Sequence, residues 1–401
     1  MLEKVKQARE RLKNVAVHTP FSYSPLLSEQ NSFEVYLKKE NLQLTGAFKL
    51  RGAFNKIATL SEDERKAGVV AASAGNHAQG VAFSARHFGI SSTIVMPENT
   101  PLTKVNGVKS YGSTVILHGA NYDEAYEYAI NIAKENEVVF VHPFEDDEVI
   151  AGQGTVALDM LDDIPDLDTV VIPVGGGGLI SGMAKVYKEI KPDIRIIGVS
   201  ALGAPTLKYS YDAKKIVDPV DVKTIADGIA VRRASNITLE HMLDSVDEVI
   251  TVDEEEIASA ILFLLEKQKL VVEGAGAVGV AALMHGKIKS NSYKKIGVVL
   301  SGGNIDVTML SVIIEKGLIK SSRKMKLIVT LIDKPGSLTA LSQLLASAYA
   351  NIVHIGYDRT STSLKYGDAH VTVHLETKGI EHQDEIRDIL LQNGYIFEQQ
   401  S

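Results

Sequence analysis

The chain has 401 residues, a formal net charge of −8, 45% hydrophobic and 23% charged residues, and no cysteine. That length exceeds one compact core, so two or three folding units are expected. The acidic balance gives no footprint for nucleic acid, the missing thiols exclude disulfides and thiolate metal sites, and no apolar run is long enough to span a bilayer. Met1–Lys6 mixes charges instead of forming the apolar core of a signal peptide, so a cytoplasmic location is expected.

Taken in order, residues 1–14 read as an amphipathic helix, Val15–Thr19 as extended and Val35–Lys38 as a strand. The run from Phe54 to Leu60 has helical periodicity. Strands at Gly68–Ala72, Ser92–Met96, Thr114–Leu117 and Val138–Val141 then alternate with helices around Gly80–Phe88, Lys104–Ser110 and Asn121–Asn136. A helix at Gly154–Leu161 precedes a strand at Thr169–Val174, a helix at Leu179–Ile190 and a strand at Arg195–Ser200. Residues 204–245 read as irregular. Helices Glu254–Gln268 and Gly276–His285, strand Lys295–Leu300 and helix Thr308–Gly317 follow. Apolar strands alternating with helices predict an α/β fold of parallel sheets covered on both faces.

Residues 321–326 are short, basic and polar, and read as a linker. Beyond them come strand Leu327–Leu331, helix Leu338–Tyr349, strands Ile352–Asp358 and Ala369–Leu375, helix Ile380–Asn393 and strand Tyr395–Glu398. That is β-α-β-β-α-β, the ferredoxin-like order, in a small domain spanning 327–401.

Three glycine-rich turns each follow a predicted strand: Ser73–Gly80, Gly175–Gly182 and Ser301–Asn304. In open parallel sheets ligands bind beyond the carboxyl ends of the strands, so three such turns suggest one crevice. Gly175, Gly176, Gly177 and Gly178 can aim several backbone N–H groups at one anion, with the following helix N-terminus adding positive potential. A dinucleotide site would want a carboxylate after the next strand, where Ser200 stands, and the Gly-Lys-Ser/Thr of a triphosphate loop is missing. A small phosphate monoester fits best. Ser73–His77 forms a second anion nest suited to a carboxylate. Ser301 can bond a heterocycle nitrogen. Thr45 is placed to cap the following helix, which puts Lys49 near its first turn. A cation there is electrostatically misplaced and more easily becomes a free amine nucleophile. Taken alone, Lys49 reads as a surface lysine on an amphipathic helix, while His77 could equally be a structural histidine and Glu273 a capping or loop residue. Together, a phosphate cradle, an amine, a carboxylate loop and a neutral ring-nitrogen partner are what a pyridoxal phosphate enzyme acting on an amino acid requires.

At this point the chain resembles threonine dehydratase (threonine ammonia-lyase), of the tryptophan-synthase-β-like class of pyridoxal phosphate enzymes. The motifs are Gly46–Ala53, Ser73–Gly80, Gly175–Gly178, Ala226–Ile229, Glu273–Gly276 and Ser301–Asn304. Residues 327–401, with Asp333–Leu338, resemble an ACT domain. The resemblance implies a catalytic domain at 1–320, with a smaller lobe at about 46–150, and a regulatory ACT-like domain.

It further implies that Lys49 joins covalently to the cofactor and is the catalytic base, and that Phe48 packs near the cofactor ring. Asn76 bonds the ring oxygen, Gly175–Gly178 and Leu179 bind the phosphate, and Ser301 bonds the ring nitrogen. Ser73, Gly75, Asn76 and His77 hold the substrate carboxylate. The expected reaction is dehydration and deamination of L-threonine, with L-serine as a further substrate. An amino-acid effector at the ACT domain and a homodimer or homotetramer are implied. Nucleic-acid and membrane partners are not.

Related serine racemases carry a serine where this chain has Ala74, which cannot deliver a proton, so racemisation is disfavoured. Some relatives bind a cation through a carboxylate where this chain has Ser200, so no metal is expected. The alternatives are a serine racemase, a serine or hydroxyaspartate dehydratase, or an amino-acid sensor with an inactive catalytic domain.

Overall fold

The structure is a computed structural model that describes residues 1–218, 221–289, 294–362 and 364–400. The chain divides into two compact units, Met1–Ile305 and Asp306–Ser401.

The first unit holds two sheets. Its strands are β1 (Phe21–Tyr23), β2 (Glu34–Lys38), β3 (Val69–Ala72), β4 (Ser92–Met96), β5 (Thr114–Leu117), β6 (Val139–Phe140), β7 (Thr169–Pro173), β8 (Arg195–Ala201), β9 (Glu248–Val252) and β10 (Lys295–Val299). The six-stranded sheet has the order β1-β2-β10-β7-β8-β9 and the four-stranded sheet the order β5-β4-β3-β6. All neighbours run parallel except β1 on β2. Strands β3 and β7 are buried along their whole length, which is why they read as unbroken apolar runs.

The Lys49–Ala58 helix lies between the Asn76–Phe88 helix, which follows β3 of the four-stranded sheet, and the Asp147–Asp163 helix, and glycines set both approaches. A Cβ at Gly80 would stand 3.1 Å from the Lys49 carbonyl oxygen, and one at Gly152 only 2.4 Å from that of Arg51. The Asp147–Asp163 helix meets the Gly178–Ile190 helix in the same way, since a Cβ at Gly182 would stand only 2.3 Å from the Ile150 carbonyl oxygen. Backbone contact therefore runs from the Ser73 loop through the lysine helix to the tetraglycine turn.

A buried ionic cluster anchors the lysine helix. The Arg51 guanidinium donates to both oxygens of Glu40, each at 2.9 Å, to Asp159 at 2.7 Å and to Thr155 at 3.1 Å. The Lys38 ammonium, fully buried, donates to the Thr19 carbonyl at 2.8 Å. Burial lowers its pKa despite the nearby carboxylates.

The second unit opens with the Val307–Lys320 helix. Its strands are β11 (Lys324–Ile332), β12 (Asn351–Asp358), β13 (Asp368–Glu376) and β14 (Ile396–Gln400). They form an antiparallel sheet in the order β12-β13-β11-β14, with helices at Ser337–Ser347 and Ile380–Gln392. This is the expected β-α-β-β-α-β order. Alternate residues of β11 and β13 are buried, and Leu327, Val329, Val371 and Val373 pack with Leu341, Leu345, Ile386 and Leu390.

Several boundaries differ from expectation. The extended segment expected at Val15–Thr19 is displaced to β1. The expected linker at 321–326 is shorter, because Lys324–Lys326 already pair with β13. The 204–245 stretch contains helices at Thr206–Ala213 and Asn236–Ser245, while residues 219 and 220 lie outside the described residues. A helix at Pro25–Asn31 and strand β9 were not legible. Among the described residues, no helix is long and apolar enough to cross a membrane.

Candidate active site

Lys49 is the first residue of its helix, and Phe48, not Thr45, occupies the N-cap position. The reason is tertiary. Ala47 bridges to Gly302, the Phe48 N–H donates to the Ser301 carbonyl at 3.0 Å, and the Gly303 N–H donates to the Gly46 carbonyl at 2.8 Å. These ties hold residues 46–48 against the third glycine turn, so the helix starts only at Lys49. The Thr45 hydroxyl is buried without a hydrogen-bond partner. The expected capping role for Thr45 is therefore corrected, while the first-turn position of Lys49 stands.

The half-buried Lys49 ammonium donates to the Pro143 carbonyl at 2.7 Å. Burial pushes its pKa down to about 8, and the Glu273 carboxylate opposes this. An amine in that range is uncharged far more often at neutral pH than a surface lysine, so it can act as nucleophile or base.

Phe144, next to Pro143, lies over the tetraglycine turn. A Cβ at Gly176 would stand 2.3 Å from the Phe144 ring, and one at Gly178 2.9 Å from the Phe144 Cβ. Gly177 has φ +87°, the left-handed conformation that glycine adopts without strain. The first helical bond beyond it is Ser181 N–H to Gly177 carbonyl. The amides of Gly178, Leu179 and Ile180 precede that bond and have no partner within the helix. Successive free amides at a helix N-terminus suit a phosphate.

The loop bearing Phe144 was missed by sequence reasoning. Its His142 Nδ1 accepts from the Phe144 N–H at 3.3 Å and the Glu145 N–H at 2.7 Å. Burial and the Lys49 charge push His142 down to about 4, which keeps it a neutral acceptor. A His-Pro pair just after a predicted strand was the available signal.

In the second turn, the Ser73 hydroxyl accepts from the Gly75 N–H at 3.1 Å, and Gly75 is the N-cap of the Asn76–Phe88 helix. The first helical bond there is Gln79 N–H to Gly75 carbonyl, which leaves the amides of Asn76, His77 and Ala78 free of helix partners. A carboxylate can be met there by backbone alone. The His77 side chain faces elsewhere. Its Nε2 bonds the Val141 carbonyl at 2.8 Å, and its Nδ1 is buried without a partner. A carbonyl only accepts, so Nε2 carries the hydrogen. Burial, then the Lys49 charge, push His77 down to about 3. Any contact of His77 with an anion is therefore through its amide, not its ring.

Ser301 lies two residues beyond β10 and is 2% exposed. Ser200 is buried, and its hydroxyl donates to the Ala204 carbonyl at 3.2 Å. The three turns thus meet around Lys49. Phe48 touches the Ser301 turn, Lys49 the Pro143–Phe144 loop over Gly176, and the Asn304 amide donates both to the Thr45 carbonyl and to Asn76.

The amide nest at Gly178–Ile180, the amides of Asn76–Ala78 left without helix partners, the lowered amine and a buried serine just beyond β10 fit pyridoxal phosphate. Comparison with known proteins agrees. The profile described as pyridoxal-phosphate dependent enzyme matches residues 13–302. An L-threonine ammonia-lyase of Thermotoga maritima is 49% identical over 394 residues, 98% of each chain. Among solved structures, maize serine racemase has a TM-score of 0.75 at 36% identity, covering 80% of this chain and 98% of that one. Threonine deaminase isoform 2 from Solanum lycopersicum has a TM-score of 0.73 at 34% identity, covering 78% of this chain and 88% of that one. The chain belongs to the pyridoxal-phosphate dependent enzyme family.

Proposed function

We propose that the protein is a pyridoxal-phosphate-dependent threonine ammonia-lyase, converting L-threonine to 2-oxobutyrate and ammonia, with L-serine as a further substrate. The observation that carries this reading is the position of Lys49, a lowered-pKa amine joined through Pro143–Phe144 to the tetraglycine nest.

Gly175–Gly178 and Leu179 would hold the phosphate through backbone N–H groups. Ser301 would face the ring nitrogen, Asn76 the ring oxygen, and Phe48 the ring. When bound, the cofactor supplies an electron sink that weakens the Cα–H bond of an attached amino acid. The chain supplies the rest. The amides of Asn76 and His77, with Ser73 and Gly75, orient the carboxylate. The Lys49 Nζ takes the Cα proton, which proximity makes effective. The proton taken from Cα and the β-hydroxyl together make up the one water lost, and the resulting enamine tautomerises to an imine that water hydrolyses to 2-oxobutyrate and ammonia.

The similarity to a serine racemase favours a second reading for one specific reason, a shared fold. Ala74 argues against it, because a methyl group cannot carry a proton to the opposite face. Product analysis separates the two: 2-oxobutyrate from L-threonine, or D-serine from L-serine.

The second unit supports amino-acid control. Asp333, Lys334, Tyr357 and Arg359 line an open polar cleft there, with the Tyr357 hydroxyl donating to Asp333 at 2.8 Å. Such a mixed-charge cleft suits an amino acid's own two charges, and a homo-oligomer built through this unit is part of the proposal. Replacing Lys49 by Ala should abolish 2-oxobutyrate formation and covalent cofactor attachment. Full activity in that variant would overturn the assignment.

A further inference from the structure

Glu273 occupies the N-cap position of the Gly274–Met284 helix, yet its side chain makes no capping bond. Its Oε1 instead accepts from the Asn76 Nδ2 at 2.6 Å, across 197 residues of chain. Glu273 is 8% exposed and Asn76 9%. On the other side, the Asn76 Oδ1 accepts from the Asn304 Nδ2, which also donates to the Thr45 carbonyl at 2.9 Å.

These bonds fix which way the Asn76 amide points. The Thr45 carbonyl only accepts, so the Asn304 nitrogen faces it; that nitrogen also donates to Asn76, so the Asn76 oxygen faces Asn304 and its nitrogen faces Glu273. One hydrogen of the Asn76 amide nitrogen goes to Glu273, and the second is left for another acceptor.

The space for this chain of bonds is provided by glycines from three separate motifs. A Cβ at Gly302 would stand 2.3 Å from the Glu273 Oε1, one at Gly46 2.6 Å from the Asn304 Oδ1, and one at Gly228 3.2 Å from the Glu273 Oε1. Gly46 also has φ +72°. A side chain at Gly302 or Gly46 would displace Glu273 or Asn304, while one at Gly228 would press first on the Ala275 Cβ at 2.9 Å and crowd Glu273, so glycines of all three motifs pack around the same bonds.

We propose that Glu273 and Asn304 are positioning residues that lock the Asn76 amide with its second N–H presented to the cofactor's ring oxygen. Burying a carboxylate is costly unless it is well bonded, so an acid held here without capping its helix needs such a return. The inference rests on the proposed pyridoxal phosphate site.

The test compares wild type, Glu273→Ala, Glu273→Gln and Asn76→Ala. Each is purified without cofactor and titrated with pyridoxal phosphate, following the visible absorption band and the dissociation constant. Thermal unfolding of the cofactor-free proteins is measured alongside. Glutamine keeps an acceptor oxygen for Asn76, whereas alanine removes it. The expected result is a shifted band and about tenfold weaker cofactor binding in Glu273→Ala, approaching Asn76→Ala, from loss of one buried hydrogen bond that holds the Asn76 amide. Glu273→Gln is expected to recover the wild-type band.

Wild-type band and affinity in Glu273→Ala, with both lost in Asn76→Ala, would overturn the proposal while leaving the cofactor site intact. Equal losses in the alanine and glutamine variants, tracking a fall in unfolding temperature, would show a merely structural carboxylate and overturn it as well. If wild type itself takes up no pyridoxal phosphate, the underlying functional reading fails first.

Discussion

Gly152→Ala offers a severe test of how the site is held. The added Cβ would meet the Arg51 carbonyl oxygen at 2.4 Å, the Gly52 Cα at 2.6 Å and the Arg51 carbonyl carbon at 2.8 Å. Ordinary contacts begin at 3.4 Å, so the shortfall is 3.4 − 2.4 = 1.0 Å. All three obstructing atoms are backbone, so no side chain can swing aside, and the two helices must separate. Overpacking of this kind costs about 1–3 kcal/mol. For a large unit that corresponds to a fall in Tm of roughly 2–12 °C.

The Lys49–Ala58 helix carries the displacement to Lys49, two residues before Arg51. A shift of about 1 Å at a reacting group can cost on the order of 100-fold in rate. The assay is kcat with L-threonine at saturating cofactor, together with calorimetric Tm. The control is Gly107→Ala, in another helix, where the nearest atom to the new Cβ is the Gln79 Nε2 at 3.8 Å. That variant should be neutral or slightly stabilised, since alanine restricts the unfolded chain. Wild-type Tm and kcat in Gly152→Ala would refute the claim that backbone contact between these helices positions the lysine.

Arg51→Ala should destabilise the first unit by about 3–5 kcal/mol, because it strands Glu40 and Asp159 in the interior. The double variant Arg51→Met with Glu40→Met should lose less than the two single losses added, measured by urea unfolding; simple additivity would argue against a coupled pair. Acid sensitivity is also predicted. His77 is held far below its unfolded value, so the unfolded chain binds the extra proton first. The stability contributed by the neutral ring is complete above about pH 6.5 and is lost as pH falls toward 3. His142 acts in the same direction, while Glu273, pushed up to about 7, acts oppositely above its unfolded value. His77→Gln keeps a donor for the Val141 carbonyl without the titration, so its unfolding free energy should fall less steeply between pH 6.5 and 4. An unchanged slope would count against this reading.

The alternation of apolar strands and helices, the three glycine turns and the second unit's β-α-β-β-α-β order were all legible in the sequence. Each depends on local rules. A fully buried parallel strand needs an unbroken apolar run, and a turn such as Gly177 needs a residue that tolerates positive φ. Lys49 near a helix start was legible too, but its cap was misassigned. Thr45 has the chemistry of a cap, and no local rule reveals that residues 46–48 are tied to Ser301–Gly303. The helix can begin only after those ties end.

Only the tertiary structure decided where polar side chains turn. His77 could have faced a ligand, but the Val141 carbonyl claims its ring. Glu273 stands where a cap would, yet bonds Asn76. The Pro143–Phe144 loop approaches Lys49 and Gly176 through contacts between segments far apart in the chain. Sequence by itself determined the backbone menu of this protein, because periodicity and glycine placement act over a few residues. Which acceptor each donor finds depends on chain segments separated by a hundred residues or more, and burial then fixes both the partner and the charge.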